Sequence, residues 1–148
     1  MNWAERALVA LLRASAALLL VAVVPAVMPL EWMAAIHRGL GLGELPSGPI
    51  VSYLTRSLSG MYAAHGALVL YVSFDVRRYL PVVKCLGVLG MVFGVGMLAL
   101  DCLVGLPPWW IACEGPPIIA LGLAVLWLAA ETGRSPGTSD STTRISGN

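Results

Sequence analysis

Four long apolar runs constrain this chain more than any other feature of its sequence. They extend over residues 7–28, 50–74, 80–104 and 109–130. Each is close to the about 20 residues that an α-helix needs to cross about 30 Å of hydrocarbon. Only 11% of the residues are charged, against about 25% in soluble domains, so a water-exposed surface would be hard to build. The sequence therefore predicts an all-α membrane protein.

The links between the runs predict how the helices are arranged. Short links at residues 75–79 and 105–108 make the second, third and fourth runs sequential antiparallel neighbours. We therefore expect one domain over residues 1–131, folded as an antiparallel four-helix transmembrane bundle. Residues 132–148 are rich in Ser, Thr and Gly without apolar periodicity, which predicts a disordered cytoplasmic tail.

The first loop is the longest, and residues 30–40 within it have the pattern of a short amphipathic helix. Such a helix in the first outer loop is expected to lie in the membrane interface. The side chains that would share one face are Leu30, Met33, Ile36, His37 and Leu40.

The first run has two interpretations. Arg6 and Arg13, followed by an apolar stretch and by Val24-Pro25-Ala26, resemble a cleaved signal peptide. The basic region is long for a signal peptide, and a further loop precedes the next run, so we expect a retained span. The cleaved form stays open as the alternative.

Lysine and arginine residues predict the orientation. Arg77, Arg78 and Lys84 flank the link between the second and third runs, and both termini are also basic. Because basic residues concentrate on the cytoplasmic side, both termini are predicted to be cytoplasmic in a plasma membrane, the bacterial inner membrane. Three tryptophans then lie at the outer interface, where indole rings concentrate: Trp32, Trp109 and Trp110.

Three ionisable residues lie inside the predicted spans at similar depth in the outer leaflet. Arg56 is about two turns into the second run, Asp101 is near the end of the third, and Glu114 is about one turn into the fourth. An arginine cannot discharge in hydrocarbon, so we predict that Arg56 pairs with one or both carboxylates. Two interpretations stay open: a buried ion pair that fixes helix register, or a site where the extra carboxylate binds a ligand or a proton.

The helix faces predict tight packing beside this cluster. One face of the third run carries Asp101 together with three small residues, Gly87, Gly90 and Gly94. The Gly90–Gly94 spacing permits close backbone approach. In the fourth run, Pro116 and Pro117 remove two backbone donors just after Glu114, so the helix should kink there or begin again at Pro116. Irregular backbone in a membrane is tolerated only inside protein or beside water.

His65 points away from Arg56 and lies about 13 Å deeper, on a face that includes Tyr62. We expect it to form a hydrogen bond with a neighbouring helix, with a ligand role for His65 and Tyr62 as the alternative. Haem is disfavoured, because a second axial ligand would be needed and His37 lies in the outer loop.

The cysteines, Cys85, Cys102 and Cys113, do not form a Cys-x-x-Cys motif, which disfavours a disulfide-forming enzyme. Buried inert thiols are expected, with a Cys102–Cys113 disulfide as the alternative. The sequence contains no nucleophile constellation, phosphate-binding loop or metal-ligand spacing, so no catalytic residue and no metal are predicted. The net charge of +1 and the lack of a basic patch argue against nucleic acid.

Several short segments of residues 50–130 together form a recognisable pattern. They are Arg56-Ser57-Leu58-Ser59-Gly60-Met61-Tyr62, Asp75-Val76-Arg77-Arg78-Tyr79, the glycines of the third run, the Gly105-Leu106-Pro107 turn and Glu114. This pattern resembles the small four-span bacterial membrane proteins of the DoxX-like type. The resemblance implies a four-helix membrane bundle, accessory to a respiratory or redox partner, without catalytic residues.

The sequence thus predicts a non-enzymatic binding or accessory subunit in the lipid bilayer, without a resident cofactor. Quinone and lipid are the ligand classes left open. The alternatives are an accessory to a membrane redox complex and a small transporter or proton-coupled carrier subunit. A carrier would require a homo-oligomer or a membrane partner protein, because four helices enclose little room for a pathway.

Overall fold

The computed structural model describes residues 2–134, and within this range the chain forms helices and no strands. The predicted all-α class is therefore confirmed. The helices are α1 (Trp3–Leu20), α2 (Val23–Val27), α3 (Leu30–Gly39), α4 (Pro49–Val72), α5 (Leu80–Val104), α6 (Pro108–Cys113) and α7 (Gly115–Arg134).

Three stretches are long enough and apolar enough to cross a membrane: Trp3–Val27, Leu80–Val104 and Pro108–Arg134. They correspond to α1 with α2, to α5, and to α6 with α7. In their most apolar windows, only 17%, 17% and 22% of the residues are buried inside the chain. Apolar helices that remain uncovered to this extent require an apolar surrounding, as membrane spans do.

Helix α4 is the remaining long helix. Its 24 residues would extend about 36 Å at about 1.5 Å per residue, enough to cross a bilayer. Arg56, His65 and several hydroxyl side chains make it more polar than the three candidate spans. Three spans are therefore supported, and a fourth through α4 stays a prediction.

The ends of the spans differ in part from the predicted boundaries. Helix α5 covers residues 80–104 as predicted. Helix α7 continues to Arg134, and Thr132 within it is only 2% exposed, with its Oγ1 donating to the carbonyl oxygen of Leu128 at 2.8 Å. The predicted disorder is therefore wrong for residues 132–134, because Thr132 extends the buried face of α7. The rest of the predicted tail, residues 135–148, lies outside the described residues.

The chain divides into two compact units. The first joins Met1–Val9 to the chain from Asp75 onward, and the second is Ala10–Phe74. The first unit therefore contains α5, α6, α7 and the beginning of α1, where Trp3 packs on Trp127 with ring centroids 5.7 Å apart.

In the first unit, α5 and α7 pack antiparallel along a seam of glycines. Gly87 faces Gly122, and Gly94 faces Gly115. A Cβ atom on Gly122 would lie 2.8 Å from the carbonyl oxygen of Gly87, and one on Gly94 would lie 3.1 Å from that of Gly115. Only glycine permits backbones to approach this closely. Gly90 has no atom within 4 Å of its Cβ position, so it lies outside the seam that contains Gly87 and Gly94.

The second unit contains most of α1 together with α2, α3 and α4. Gly66 of α4 lies against α1, where an added Cβ would be 2.8 Å from Cβ of Leu19 and 3.1 Å from the carbonyl oxygen of Ala16. Helix α3 forms where the amphipathic pattern predicted a helix, with Met33 buried. Its location in a membrane interface stays a prediction.

Candidate functional site

Arg56 of α4 is held by oxygen atoms of its own unit. Its Nη1 donates to the carbonyl oxygen of Ala26 and its Nη2 to that of Met28, both at 3.0 Å. Its Nε donates to Oγ of Ser52 at 3.3 Å. The two carbonyls belong to the C-terminal end of α2, where Met28 is the capping residue. Carbonyls at a helix end lack partners within the helix, so the guanidinium satisfies groups that would otherwise be unpaired.

Asp101 of α5 is the most deeply buried carboxylate in the described chain, with 2% exposure. Within residues 2–134, its Oδ2 has no hydrogen-bond partner. Its backbone is fixed, because its carbonyl oxygen accepts from the N–H groups of Gly105 and Leu106, both at 3.1 Å. Gly105 closes the helix in the left-handed conformation, with φ 76° and ψ 40°. A buried polar atom without a partner is costly and calls for an explanation.

The glycine seam locates Asp101 relative to α6 and α7. A Cβ on Gly115 would lie 2.7 Å from Cβ and 3.0 Å from Cα of Leu98, so the two backbones touch where α7 begins. Asp101 is about one turn beyond Leu98 on α5, and α7 runs antiparallel to α5. Helix α6 contacts both α5 and α7, and its last turn leads into α7.

This last turn of α6 is where the fourth apolar run is broken. Helix α6 ends at Cys113 and α7 begins at Gly115, with Glu114 between them at φ −104° and ψ −76°. The predicted interruption is therefore present. Because Pro116 and Pro117 have no N–H, the carbonyl oxygens of Ala112 and Cys113 lack the donor that lies four residues on in an unbroken helix.

Glu114 has a partner on the preceding turn. Its Oε2 accepts a hydrogen bond from Nε1 of Trp110. The carboxylate of Glu114 is therefore engaged locally, unlike Oδ2 of Asp101.

The predicted pairing of Arg56 with Asp101 or Glu114 joins residues of different units and stays a prediction. Inside their own units, Arg56 binds carbonyl and hydroxyl oxygens, and Glu114 binds Trp110. The guanidinium donors used in these contacts are satisfied without a carboxylate.

The other candidates on α4 have different environments. His65 is exposed and forms no hydrogen bond within the described residues, so the expected bond to a neighbouring helix is not present there. The next residue, Gly66, is buried. Consecutive side chains of a helix are rotated by about 100° around its axis, so His65 lies off the buried face of α4. Tyr62 is half-buried and engaged in a contact within the chain.

The cysteines correct a prediction. Cys85, Cys102 and Cys113 are free and exposed, so the expected burial is wrong and the alternative Cys102–Cys113 disulfide is not formed. Their positions are off the buried face of α5, which carries Val83, Gly87, Gly94 and Asp101, and off the buried start of α7.

An ion pair that the sequence did not reveal lies at the N-terminal end of α5, opposite to the Asp101 end. Oε2 of Glu5 accepts from Nη2 of Arg77 at 2.9 Å and from Nε at 3.1 Å. The hydrogen bond and then the charge of Glu5 raise the pKa of Arg77. In the sequence, only Asn2 marked this end of the chain, because asparagine is a typical helix N-cap residue. Its Oδ1 accepts a hydrogen bond from the N–H of Glu5 at 2.7 Å.

No group of three His, Cys, Asp or Glu side chains close enough to hold a metal ion occurs among residues 2–134. Asp101 instead offers one buried carboxylate oxygen without a partner in the described chain.

Comparisons of the chain with protein-family models, with curated proteins and with solved structures gave no match. The functional argument therefore rests on the chemistry of the residues described above.

Proposed function

We propose that the chain is a small four-span integral membrane protein, a non-enzymatic binding or accessory subunit whose binding centre is Asp101. The observation that supports this most is the Oδ2 of Asp101, buried and without a partner in the described chain. A carboxylate inside a membrane protein is costly, and it is retained where it binds a ligand, an ion or another polar group. The break at Glu114 adds irregular backbone, which a membrane tolerates only inside protein or beside water.

The architecture that we propose adds α4 as a fourth span to the three apolar stretches. Helix α3 then lies in the outer interface, and both termini are in the cytoplasm of a cell with this protein in its plasma membrane, the bacterial inner membrane. This orientation follows from the basic residues around Arg77 and Arg78. It locates Asp101 in the outer leaflet. The resemblance to DoxX-like proteins leads to the same arrangement.

The binding role is preferred to catalysis because of the groups that the centre offers. Asp101 and Glu114 are carboxylates, and Glu114 is engaged with Trp110. Covalent catalysis would require an activated nucleophile beside a base. A lipid with a hydrogen-bond donor, the reduced (quinol) form of a quinone, or a cation matches an unsatisfied carboxylate oxygen better.

A carrier subunit is the second candidate, and the break between α6 and α7 favours it. Discontinuous helices with free backbone carbonyls form the ion and substrate sites of many transporters. A pathway would then form between copies of the chain or with a membrane partner protein.

The proposal is tested by ligand-dependent stability of the purified protein. We expect at least one compound from a panel of quinones, phospholipids and cations to raise the unfolding temperature of the wild-type protein, but not that of Asp101→Asn. Glu44→Gln is the matched control, because the Glu44 side chain is 77% exposed in the loop after α3. The proposal fails if every compound that stabilises the wild-type protein stabilises Asp101→Asn equally, or if no compound stabilises it.

A further inference from the structure

The first unit carries its positive charge at one end, opposite to the end with Asp101. Every lysine and arginine that this unit has within residues 2–134 belongs to the start of α1, the link before α5, the first turns of α5 or the end of α7: Arg6, Arg77, Arg78, Lys84 and Arg134. The carboxylates at the same end are Glu5, Asp75 and Glu131. Positive charge therefore exceeds negative charge at this end.

Contacts inside the unit bring these segments together. The bond between Glu5 and Arg77, with Oε2 and Nη2 at 2.9 Å, joins the start of α1 to the link before α5. A Cβ on Gly133 would lie 3.4 Å from Cδ2 of Leu80, so the end of α7 contacts the start of α5. The cations of these segments therefore belong to one continuous end of the unit.

The cations at this end differ in whether the protein already neutralises them. Arg77 is paired with Glu5, and Arg134 is paired with Glu131 at 2.7 Å. The remaining three cations are exposed and form no ion pair within residues 2–134: Arg6, Arg78 and Lys84. Their charges are available to an anion from outside the chain.

Exposed aromatic rings accompany the free cations. Trp3 and Trp127 pack on each other, yet they remain 63% and 57% exposed, so the pair is not part of a core. The guanidinium of Arg78 lies over the ring of Tyr79, with Cζ 5.5 Å from the centroid. In membrane proteins, tryptophan and tyrosine concentrate at the level of the lipid headgroups.

We infer that this end of the first unit, the basic face, binds the headgroups of anionic phospholipids. The basic face is formed by Arg6, Arg78 and Lys84 together with Trp3 and Trp127. Guanidinium and ammonium groups form charge-assisted hydrogen bonds with phosphate oxygens, and anionic lipids attract clusters of basic residues beside membrane spans. The long apolar stretches of the chain require a lipid surrounding, so a lipid phosphate is the anion that this face meets. This inference goes beyond the proposed function and does not involve Asp101.

The experiment measures thermal unfolding of the full chain in a neutral detergent with added phosphatidylglycerol or phosphatidylcholine of the same acyl chains. We expect phosphatidylglycerol to raise the unfolding temperature of the wild-type protein more than phosphatidylcholine does. In Arg6→Gln/Arg78→Gln/Lys84→Gln, the apparent affinity for phosphatidylglycerol should fall at least about tenfold. The matched control is Arg6→Lys/Arg78→Lys, which keeps both charges and should keep the preference.

Equal effects of the two lipids on the wild-type protein, or an undiminished preference in the triple glutamine variant, would overturn the basic face. If the triple variant does not fold, ionic strength decides the matter in the wild-type protein. Raising it from about 0.05 to about 0.5 M should remove most of the preference, because exposed charges are screened by salt. A preference that does not change with salt contradicts the inference.

Asp101→Asn separates this inference from the proposed function. We expect that variant to keep the preference for phosphatidylglycerol, because the basic face lies at the opposite end of the unit. If the preference is lost in Asp101→Asn and kept in the triple glutamine variant, the lipid binds through Asp101. The basic face is then wrong, while the proposed binding centre stands.

Discussion

The two units each contain a charged residue in a long helix, and they treat it in opposite ways. In the second unit, Arg56 donates to three oxygen atoms of Ala26, Met28 and Ser52. In the first unit, Asp101 is 2% exposed and its Oδ2 accepts from nothing in the described chain. The Arg56 guanidinium is therefore bound within its own unit, whereas Oδ2 of Asp101 has no partner among residues 2–134.

Under the proposed function, this difference separates a structural charge at Arg56 from a binding charge at Asp101. The Arg56 guanidinium joins α4 to the end of α2 by bonds to charged donors, which are stronger than neutral ones. The fold gains stability from it. The fold gains nothing comparable from Asp101, because a buried carboxylate oxygen without a donor lowers stability. A buried residue that costs stability is expected to serve function.

The largest expected effect comes from Arg56→Met, which removes the guanidinium but keeps an apolar side chain. The carbonyls of Ala26 and Met28 would lose their donors, so we expect a loss of about 3 kcal/mol in the free energy of unfolding. Chemical or thermal unfolding in one detergent measures it. Arg38→Met is the control, because the Arg38 side chain is 57% exposed on α3 and its change should have little effect.

A loss from Arg56→Met no larger than that from Arg38→Met would contradict the structural role of the guanidinium. The contrast between the two units would then disappear, because both charges would be dispensable for folding.

A smaller effect is expected at the glycine seam that holds α5 against α7 and so positions Asp101. An alanine at Gly122 would bring Cβ to 2.8 Å from the carbonyl oxygen of Gly87 and 3.0 Å from the amide nitrogen of Met91. Because these are backbone atoms, the helices must separate, at a cost of about 1–3 kcal/mol. Unfolding measurements compare Gly122→Ala with the control Gly90→Ala. The added Cβ at Gly90 meets no atom within 4 Å, so Gly90→Ala should leave the free energy of unfolding unchanged or raise it by up to about 1 kcal/mol. Equal losses from both changes would show that the seam does not form as described.

The parts of this fold that the sequence predicted depend on local chemistry. The apolar run at residues 80–104 matches α5, because a span needs about 20 apolar residues wherever it lies. The interruption near Glu114 follows from the two prolines, which cannot donate backbone hydrogen bonds in any context. These signals are contained in short stretches of sequence, so no knowledge of the packing was required.

The features of the structure that the sequence did not predict depend on packing between distant segments of the chain. The oxygens that bind Arg56 are mostly backbone carbonyls, which every residue has and no sequence pattern marks. The pair of Glu5 and Arg77 joins residues far apart in the chain. Gly94 enters the seam and Gly90 does not, since about 40° of rotation separates them around α5. Asp101 was identified from the sequence, but only the structure shows that its Oδ2 is left without a donor.

The central claim is that Oδ2 of Asp101 has no hydrogen-bond partner among residues 2–134, and replacement of Asp101 by asparagine tests this most directly. In buffer without alkali cations or added lipid, Asp101→Asn should change the free energy of unfolding by less than about 1 kcal/mol or increase it, because no internal bond of Oδ2 is lost. A loss of about 3–5 kcal/mol is the size expected when one member of a buried ion pair is removed. That result would contradict the account, and it would indicate that Asp101 is a structural partner of a charge such as Arg56.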